Sequence, residues 1–533
     1  MLRRRPARAR RARGEPGAVL VSAHGDTTRE AFARQCAQAR VVPVIRTLFA
    51  DALTPVGLYR SLGEGRSGSF LLESAEQGGI WSRYSFVGVR SFGVLTEHDG
   101  ATAWLADGLD EERAFGGSAP ARSLDALDAL YSRWRSPHDP AHPPLTGGLV
   151  GFIGWDTVRQ VENLPDAPPS DFPCPELALA FVSELLVMDH RRGTVSLVVS
   201  ALNDGEATEN ELWMDAQVRL DRLERAMTVT ASPDVARIDL EVAPAPHHRS
   251  TPAEYLAAVD RSKEFIRDGD VFQVVIGQRF DHELTASALD VYRVLRALNP
   301  SPYMYTLTLE TVEGNPYAIV GSSPEALVKV TGDRAYMHPI AGSRPRGDTP
   351  ERDGELADEL LADRKEQAEH LMLVDLARND LSKVCRAGTV EVTEFMQVER
   401  FSHILHLVSS VEGSLRAESS PIDVFRATFP AGTLSGAPKP RALEIIDELE
   451  PARRGVYGGV VGYIAFSGDT DLAIAIRTAF LADGVARVQA GAGLVADSQP
   501  HAELQETVAK AAAPLRAVAI ANALRAVDVG SSS

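Results

Sequence analysis

The sequence predicts an α+β protein built on large antiparallel sheets, and three observations carry that prediction. Strand and helix signals mix along the chain without the strict alternation of a doubly wound parallel fold. Several runs read as strands, among them the glycine-rich Gly147-Gly148-Leu149-Val150-Gly151-Phe152-Ile153-Gly154. No fixed-period repeat runs through the 533 residues.

Taken in chain order, the first 13 residues hold seven arginines and no acid. The apolar run behind them, Ala18 to Val21, is too short for the core of an export signal. Residues 1–28 are therefore expected to form a disordered Arg-rich extension; an RNA-binding arm is the alternative. Residues 29–228 read as a first unit. Val41-Val42-Pro43-Val44-Ile45, Ser69-Phe70-Leu71-Leu72-Glu73, Ser85-Phe86-Val87-Gly88-Val89 and Thr194-Val195-Ser196-Leu197-Val198-Val199 are its strand signals. Residues 211–226 have helical spacing through Leu212, Met214, Val218, Leu220 and Leu223. Ser232-Pro233 and Ala243-Pro244-Ala245-Pro246 place a linker over 229–249. Thr251-Pro252-Ala253-Glu254 then opens a helix with a capping threonine and a glutamate three residues on. A second unit spans 250–524, and 525–533 is expected to be a disordered tail.

Composition narrows the function. Hydrophobic residues make up 44% and charged residues 24%, as in soluble globular proteins. Nowhere do about 18 apolar residues run together, so no membrane-spanning helix is expected. The richest stretch, residues 177–188, is broken by Ser183 and Glu184. Removing the seven terminal arginines from the net charge of −18 leaves −25 on the body, which repels phosphate backbones. Nucleic acid is thus a poor partner. Cys36, Cys174 and Cys385 form neither a CxxC pair nor a zinc pattern, and reduced thiols in a cytoplasm are the natural reading.

Several segments could carry chemistry. A long helix signal over 355–383 puts Glu366 and Glu369 on one face, and the C-terminal helix does the same for Glu503, Glu506 and Lys510. Two acid-bearing helices suit a hard divalent cation such as Mg²⁺, although solvated charged faces give the same spacing. His403 and His406 lie three apart on a strand, so they face opposite sides and do not share a metal. One of them could act as an acid or base. The turn from Pro430 to Lys439 resembles an anion-binding helix entry but lacks phosphate-loop spacing. Tyr457-Gly458-Gly459 and Gly491-Ala492-Gly493 allow close backbone approach to a ligand. Between them, Arg477 sits in an apolar run. A buried arginine needs an anionic partner, which is either a bound carboxylate or an internal salt bridge.

These segments also carry a resemblance. Pro339-Ile340-Ala341-Gly342-Ser343-Arg344-Pro345-Arg346-Gly347, the run from Glu366 to Leu381, and Gly432-Thr433-Leu434-Ser435-Gly436-Ala437-Pro438-Lys439 closely resemble the chorismate-utilising enzymes. Within them the anthranilate synthase component I family is the nearest match. The resemblance spans about residues 40–520, with its motifs in order. It implies face-to-face antiparallel sheets with helices outside. It also implies a reaction in which ammonia adds to C2 of chorismate, the C4 hydroxyl leaves and pyruvate is eliminated.

By resemblance, Glu369 and Glu506 would hold Mg²⁺, and Arg477 would clamp a substrate carboxylate beside Tyr457. Gly342, Ser343, Thr433, Gly491, Ala492, Gly493 and Lys510 would complete the substrate cradle. His406 and Glu366 would move protons. Ser343 stands where the family usually has threonine, which keeps the hydroxyl. Related enzymes carry a nucleophilic lysine at the position of Ala341 or a water-activating lysine at that of Gln273, and neither is present. No glutaminase is recognisable, so ammonia would come from a glutamine amidotransferase subunit, in a heterotetramer. Leu71-Leu72-Glu73-Ser74 and Asn299-Pro300-Ser301-Pro302-Tyr303-Met304 resemble the two halves of the family's tryptophan site. Ser74, Pro302, Tyr303 and Met304 would bind the feedback inhibitor, with Ser74 and Glu73 offering polar groups to its ammonium and carboxylate. A tryptophan sensor without catalysis is the alternative on the same fold, and the intact acids, Arg477 and His406 weigh against it.

Overall fold

The computed structural model describes residues 26–75, 83–228, 235–400 and 404–527. Two long strands, Tyr84–His98 and Leu177–Asp189, pair antiparallel and belong to two sheets at once. One sheet continues through Ser69–Glu73, Tyr303–Glu310, Pro316–Ser323, Thr478–Ala482, Val485–Leu494 and Gln273–Glu283. The other continues through Gly148–Ile153, Val460–Ala465, Thr470–Ile474, Ala326–Thr331, Arg334–Met337 and Ile404–Ser414. Each of these pairings is antiparallel, as the sequence predicts. Register shifts between Gly88 and Gly93 bend the first long strand, which lets it serve both sheets.

The faces that meet between the sheets carry Phe70, Phe152, Tyr305, Val461 and Phe480, all from strands. Helices cover the two outer faces. Leu58, Leu220, Leu295 and Val518 pack on one side, and Leu127, Phe265, Val374 and Ile446 on the other. The layers are thus helix, sheet, sheet, helix, because strands apolar on both faces need cover on both. All 13 residues of Leu177–Asp189 are buried, Glu184 included. Arg219 holds that carboxylate at 3.0 Å and Arg222 joins it, which accounts for an acid inside the most apolar stretch.

Strands of the two sequence units pair directly: Ser69–Glu73 with Tyr303–Glu310, and Gly148–Ile153 with Val460–Ala465. Within the expected linker, His247–His248 pairs with Gln273–Glu283 and Ala236–Arg237 with Arg525–Ala526. Of the expected terminal extensions, 1–25 and 528–533 lie outside the described residues, as does His403. The Thr251 capping box forms as predicted. The helix expected over 355–383 is instead two, Pro350–Ala362 and Arg364–Ser382. Asp363 divides them: its ψ of 109° ends the first, and its carboxylate caps the second through the amides of Lys365 and Glu366. No helix among the described residues is long and apolar enough to cross a membrane.

Candidate functional site

A cavity of about 470 Å³ gathers the sequence-predicted residues from six elements. Gly342 and Ser343 come from the strand Ile340–Pro345, and His406 from Ile404–Ser414. Glu366 and Glu369 project from the helix that Asp363 caps. Glu506 and Lys510 come from the helix Pro500–Asn522, and Gly491 and Gly493 from Val485–Leu494. Thr433 lies on the turn Gly432–Leu434, while Tyr457 and Arg477 lie on loops. Ala492 does not line the cavity: alternation on its strand turns it into the core, fully buried. Ala341 and Gln273, the two positions without lysine, are part of the lining.

Local backbone explains the placements. Gly342 has φ +65°, and the strand register shifts around it. This left-handed bulge aims its carbonyl at His406, whose Nδ1–H donates to it at 2.9 Å. That bond leaves the Nε2 lone pair on the neutral ring. Burial is the main cause that holds His406 below the ordinary histidine range, and the Arg477 charge adds to it. A Cβ on residue 342 would come within 3.0 Å of Glu366 Oε2, and one on residue 491 within 2.7 Å of the Tyr457 hydroxyl. Side chains of the site occupy the space those glycines leave.

Arg477 is half-buried and at φ +50°, and among the described residues no carboxylate pairs with it. Burial lowers its pKa, and Glu325 opposes that only at a distance. The internal salt bridge belongs to another residue. Arg454, 1% exposed, donates to Glu450 at 2.6 and 2.9 Å, to the Leu434 carbonyl at 2.7 Å and to the Val275 carbonyl at 2.9 Å. Its guanidinium lies 4.2 Å from the Trp155 ring centroid and 5.4 Å from that of Tyr457. It braces the wall behind the cavity.

Glu325 was not foreseen from the sequence. It lines the cavity and accepts from Thr433 Oγ1 at 3.0 Å. Burial pushes its carboxyl up to about 7, against the pull of the Thr433 bond and of Lys510 and Arg477. The available signal was a lone acid after Ser322-Ser323-Pro324, between two apolar strands.

The acids Glu366, Glu369 and Glu506 repel one another. Glu369 is raised above the carboxylate range, first by burial and then by Glu366, with Glu506 adding. Glu506 pairs with Lys510 at 2.7 Å. Among the described residues no three acid, histidine or cysteine side chains converge to hold an ion by themselves. Mg²⁺ commonly takes one or two carboxylates and fills its remaining positions with water and substrate, so this donor set fits it.

A smaller pocket, about 80 Å³, brings together Ser74, Pro302, Tyr303 and Met304, with Tyr463 and Asp471 opposite. Among the described residues Ser74 Oγ and Asp471 Oδ1 are buried there without a hydrogen-bond partner, while the other Asp471 oxygen lies 3.5 Å from the Lys329 ammonium. Glu73, expected to offer polar groups to a ligand, is already engaged by the Tyr292 hydroxyl and the Arg296 guanidinium.

The chain is also similar to known proteins. The profile described as chorismate binding enzyme matches residues 90–516. The chain is 54% identical to anthranilate synthase component 1 of Arthrobacter globiformis over 509 residues, 95% of each chain. It is 46% identical to the Mycobacterium tuberculosis protein of that name over 505 residues, 94% of this chain and 97% of the other. The crystal structure of anthranilate synthase component I from Streptococcus pneumoniae superposes with a TM-score of 0.71 at 34% identity, covering 88% of this chain and 99% of that one. The isochorismate synthase MenF of Escherichia coli shares the fold at a TM-score of 0.65 and 19% identity, over 92% and 98%. With a profile match over most of its length and relatives so similar end to end, this chain belongs to the chorismate binding enzyme family.

Proposed function

We propose that this chain makes anthranilate and pyruvate from chorismate and ammonia, as the first step of tryptophan synthesis. One observation carries the reading: a half-buried arginine with no carboxylate partner among the described residues and a set of mutually repelling acids face one cavity that lacks both alternative lysines. A dicarboxylate such as chorismate satisfies both ends. Arg477 takes the enolpyruvyl carboxylate, with the Tyr457 ring beside it. Glu369 and Glu506 would hold Mg²⁺, which supplies positive charge to the ring carboxylate. Lys510 adds positive charge at the same end.

Ammonia adds to C2 and the C4 hydroxyl leaves as water. Glu325, still partly protonated near neutral pH, suits the donation of that proton. Neutral His406 and Glu366 would take the protons. Loss of the C2 hydrogen with release of pyruvate then makes the ring aromatic. Gln273 is an amide and cannot activate water, which favours an amine over a hydroxyl product. A separate glutamine amidotransferase subunit supplies ammonia, and tryptophan in the smaller pocket inhibits. There the Asp471 carboxylate and Ser74 hydroxyl suit an ammonium group, and Pro302, Tyr303 and Met304 an indole.

Anthranilate fluorescence tests the reading. The pure chain with chorismate, an ammonium salt and Mg²⁺ should produce it, and glutamine should support it only after a partner is added. Isochorismate as the product, or glutamine-driven turnover by the chain alone, would overturn the assignment.

A further inference from the structure

Tyr305, Gly321 and Thr478 lie directly opposite one another on three neighbouring strands. The Tyr305 ring crosses Gly321, where a Cβ would come within 2.2 Å of it. Its hydroxyl reaches Thr478 Oγ1 at 2.7 Å. The single Thr478 proton goes to the Ile476 carbonyl at 2.8 Å, so Tyr305 is the donor. The Thr478 hydroxyl thus fastens both flanks of Arg477, whose left-handed backbone is unfavourable for any residue with a Cβ. The Ser322 amide adds a bond to the Arg477 carbonyl at 3.2 Å. Ser322 Oγ also reaches Ser301 Oγ at 2.8 Å. Tyr305 itself lines the smaller pocket, and Arg477 lines the larger one.

We propose that Tyr305 and Thr478 are positioning residues that seat Arg477 and carry the occupancy of the smaller pocket to it. Neither hydroxyl belongs to the lining of the large cavity, so both act through the arginine's backbone. A ligand against the Tyr305 ring shifts the seat only if it binds one placement of that ring better than the other. The two ligands then oppose each other by equal factors. The inference rests on the chorismate and tryptophan assignments above.

Thr478→Val, Thr478→Ser and Tyr305→Phe test it in the ammonia-driven assay. Thr478→Val should raise the KM for chorismate about tenfold, the scale of one buried hydrogen bond, with kcat within roughly twofold of the parent. The half-inhibitory tryptophan concentration should rise as well. Thr478→Ser, which keeps the hydroxyl, should restore both. Tyr305→Phe, which removes one of the two Thr478 bonds, should shift both quantities in the same direction by less, and the double variant should be no worse than Thr478→Val alone. Equal KM in all variants, equal damage from valine and serine, or unchanged tryptophan sensitivity in Thr478→Val would overturn the proposal. A parent that makes no anthranilate would instead refute the functional reading. The seat would then be judged by hydrogen exchange over 474–480: faster exchange in Thr478→Val supports it, and equal exchange overturns it.

Discussion

Two arginines beside the cavity, one fully buried and one half-buried, differ in their partners, and the contrast separates structure from function. Arg454 has a carboxylate, two carbonyls and an indole face. Arg477 faces the cavity, and among the described residues no carboxylate pairs with it. Removing a guanidinium from its ordinary partners costs several kcal/mol in a buried setting, so a fold keeps an unpaired one only where a ligand completes it. The first arginine stabilises the wall, and in the proposed reading the second takes the substrate's carboxylate.

Removing the first arginine should have the largest effect. Arg454→Met leaves Glu450 buried without its cation, and urea unfolding should register a loss of about 3–5 kcal/mol. Arg477→Met should do the reverse. Its urea midpoint should equal or exceed that of the parent, while kcat/KM for chorismate falls about 100-fold or more, the scale of a lost charged contact. Arg477→Lys, without the planar fork, should also be damaging. Equal stability of the two methionine variants would erase the contrast.

Glu369→Gln and Glu506→Gln sharpen it from the opposite end of the cavity. Each should abolish most activity with the fold intact, and titration with Mg²⁺ should restore little. Near-parental rates at low Mg²⁺ would remove the metal from the reading. A subtler probe is the Glu325 proton. Because its carboxyl titrates at about 7, kcat/KM should fall as pH rises through that value and the acid is lost. Thr433→Val removes the hydrogen bond that favours the carboxylate, so this alkaline limb should move to higher pH, and Thr433→Ser should return it. A limb indifferent to Thr433 would point to another acid. The smallest effect on catalysis is expected from Ser74→Arg. It should fill the smaller pocket and relieve tryptophan inhibition while the uninhibited rate stays near parental. Rates measured against tryptophan concentration decide this.

The contrast between the arginines was only half legible in the sequence. An arginine in an apolar run signals a need for an anion, and at Arg477 the choice between ligand and internal salt bridge stayed open. The salt bridge formed at Arg454 instead. There Glu450 lies four residues away, but the carbonyls that complete the clamp come from Leu434 and Val275. Glu325 escaped notice because its environment is assembled from afar: Thr433 is 108 residues along the chain. Glu73 had the opposite fate, since Arg296, 223 residues away, takes the carboxylate that a ligand was expected to find.

What the sequence determined by itself is whatever neighbours along the chain dictate. Helical spacing put Glu366 with Glu369 and Glu506 with Lys510 on shared faces. The Thr251 cap, the strand runs and the antiparallel class followed from local pattern in the same way. The motif run of residues 339–347 and the turn from Gly432 to Lys439 sufficed to place the chain in its family. Tertiary structure decided the rest. It split the helix at Asp363, closed the two sheets into a sandwich through shared bent strands, and set Tyr305 over Gly321 against Thr478. Above all, it decided which buried charge has a partner. That depends on the distance between groups far apart in sequence, and on how much water packing has removed from between them.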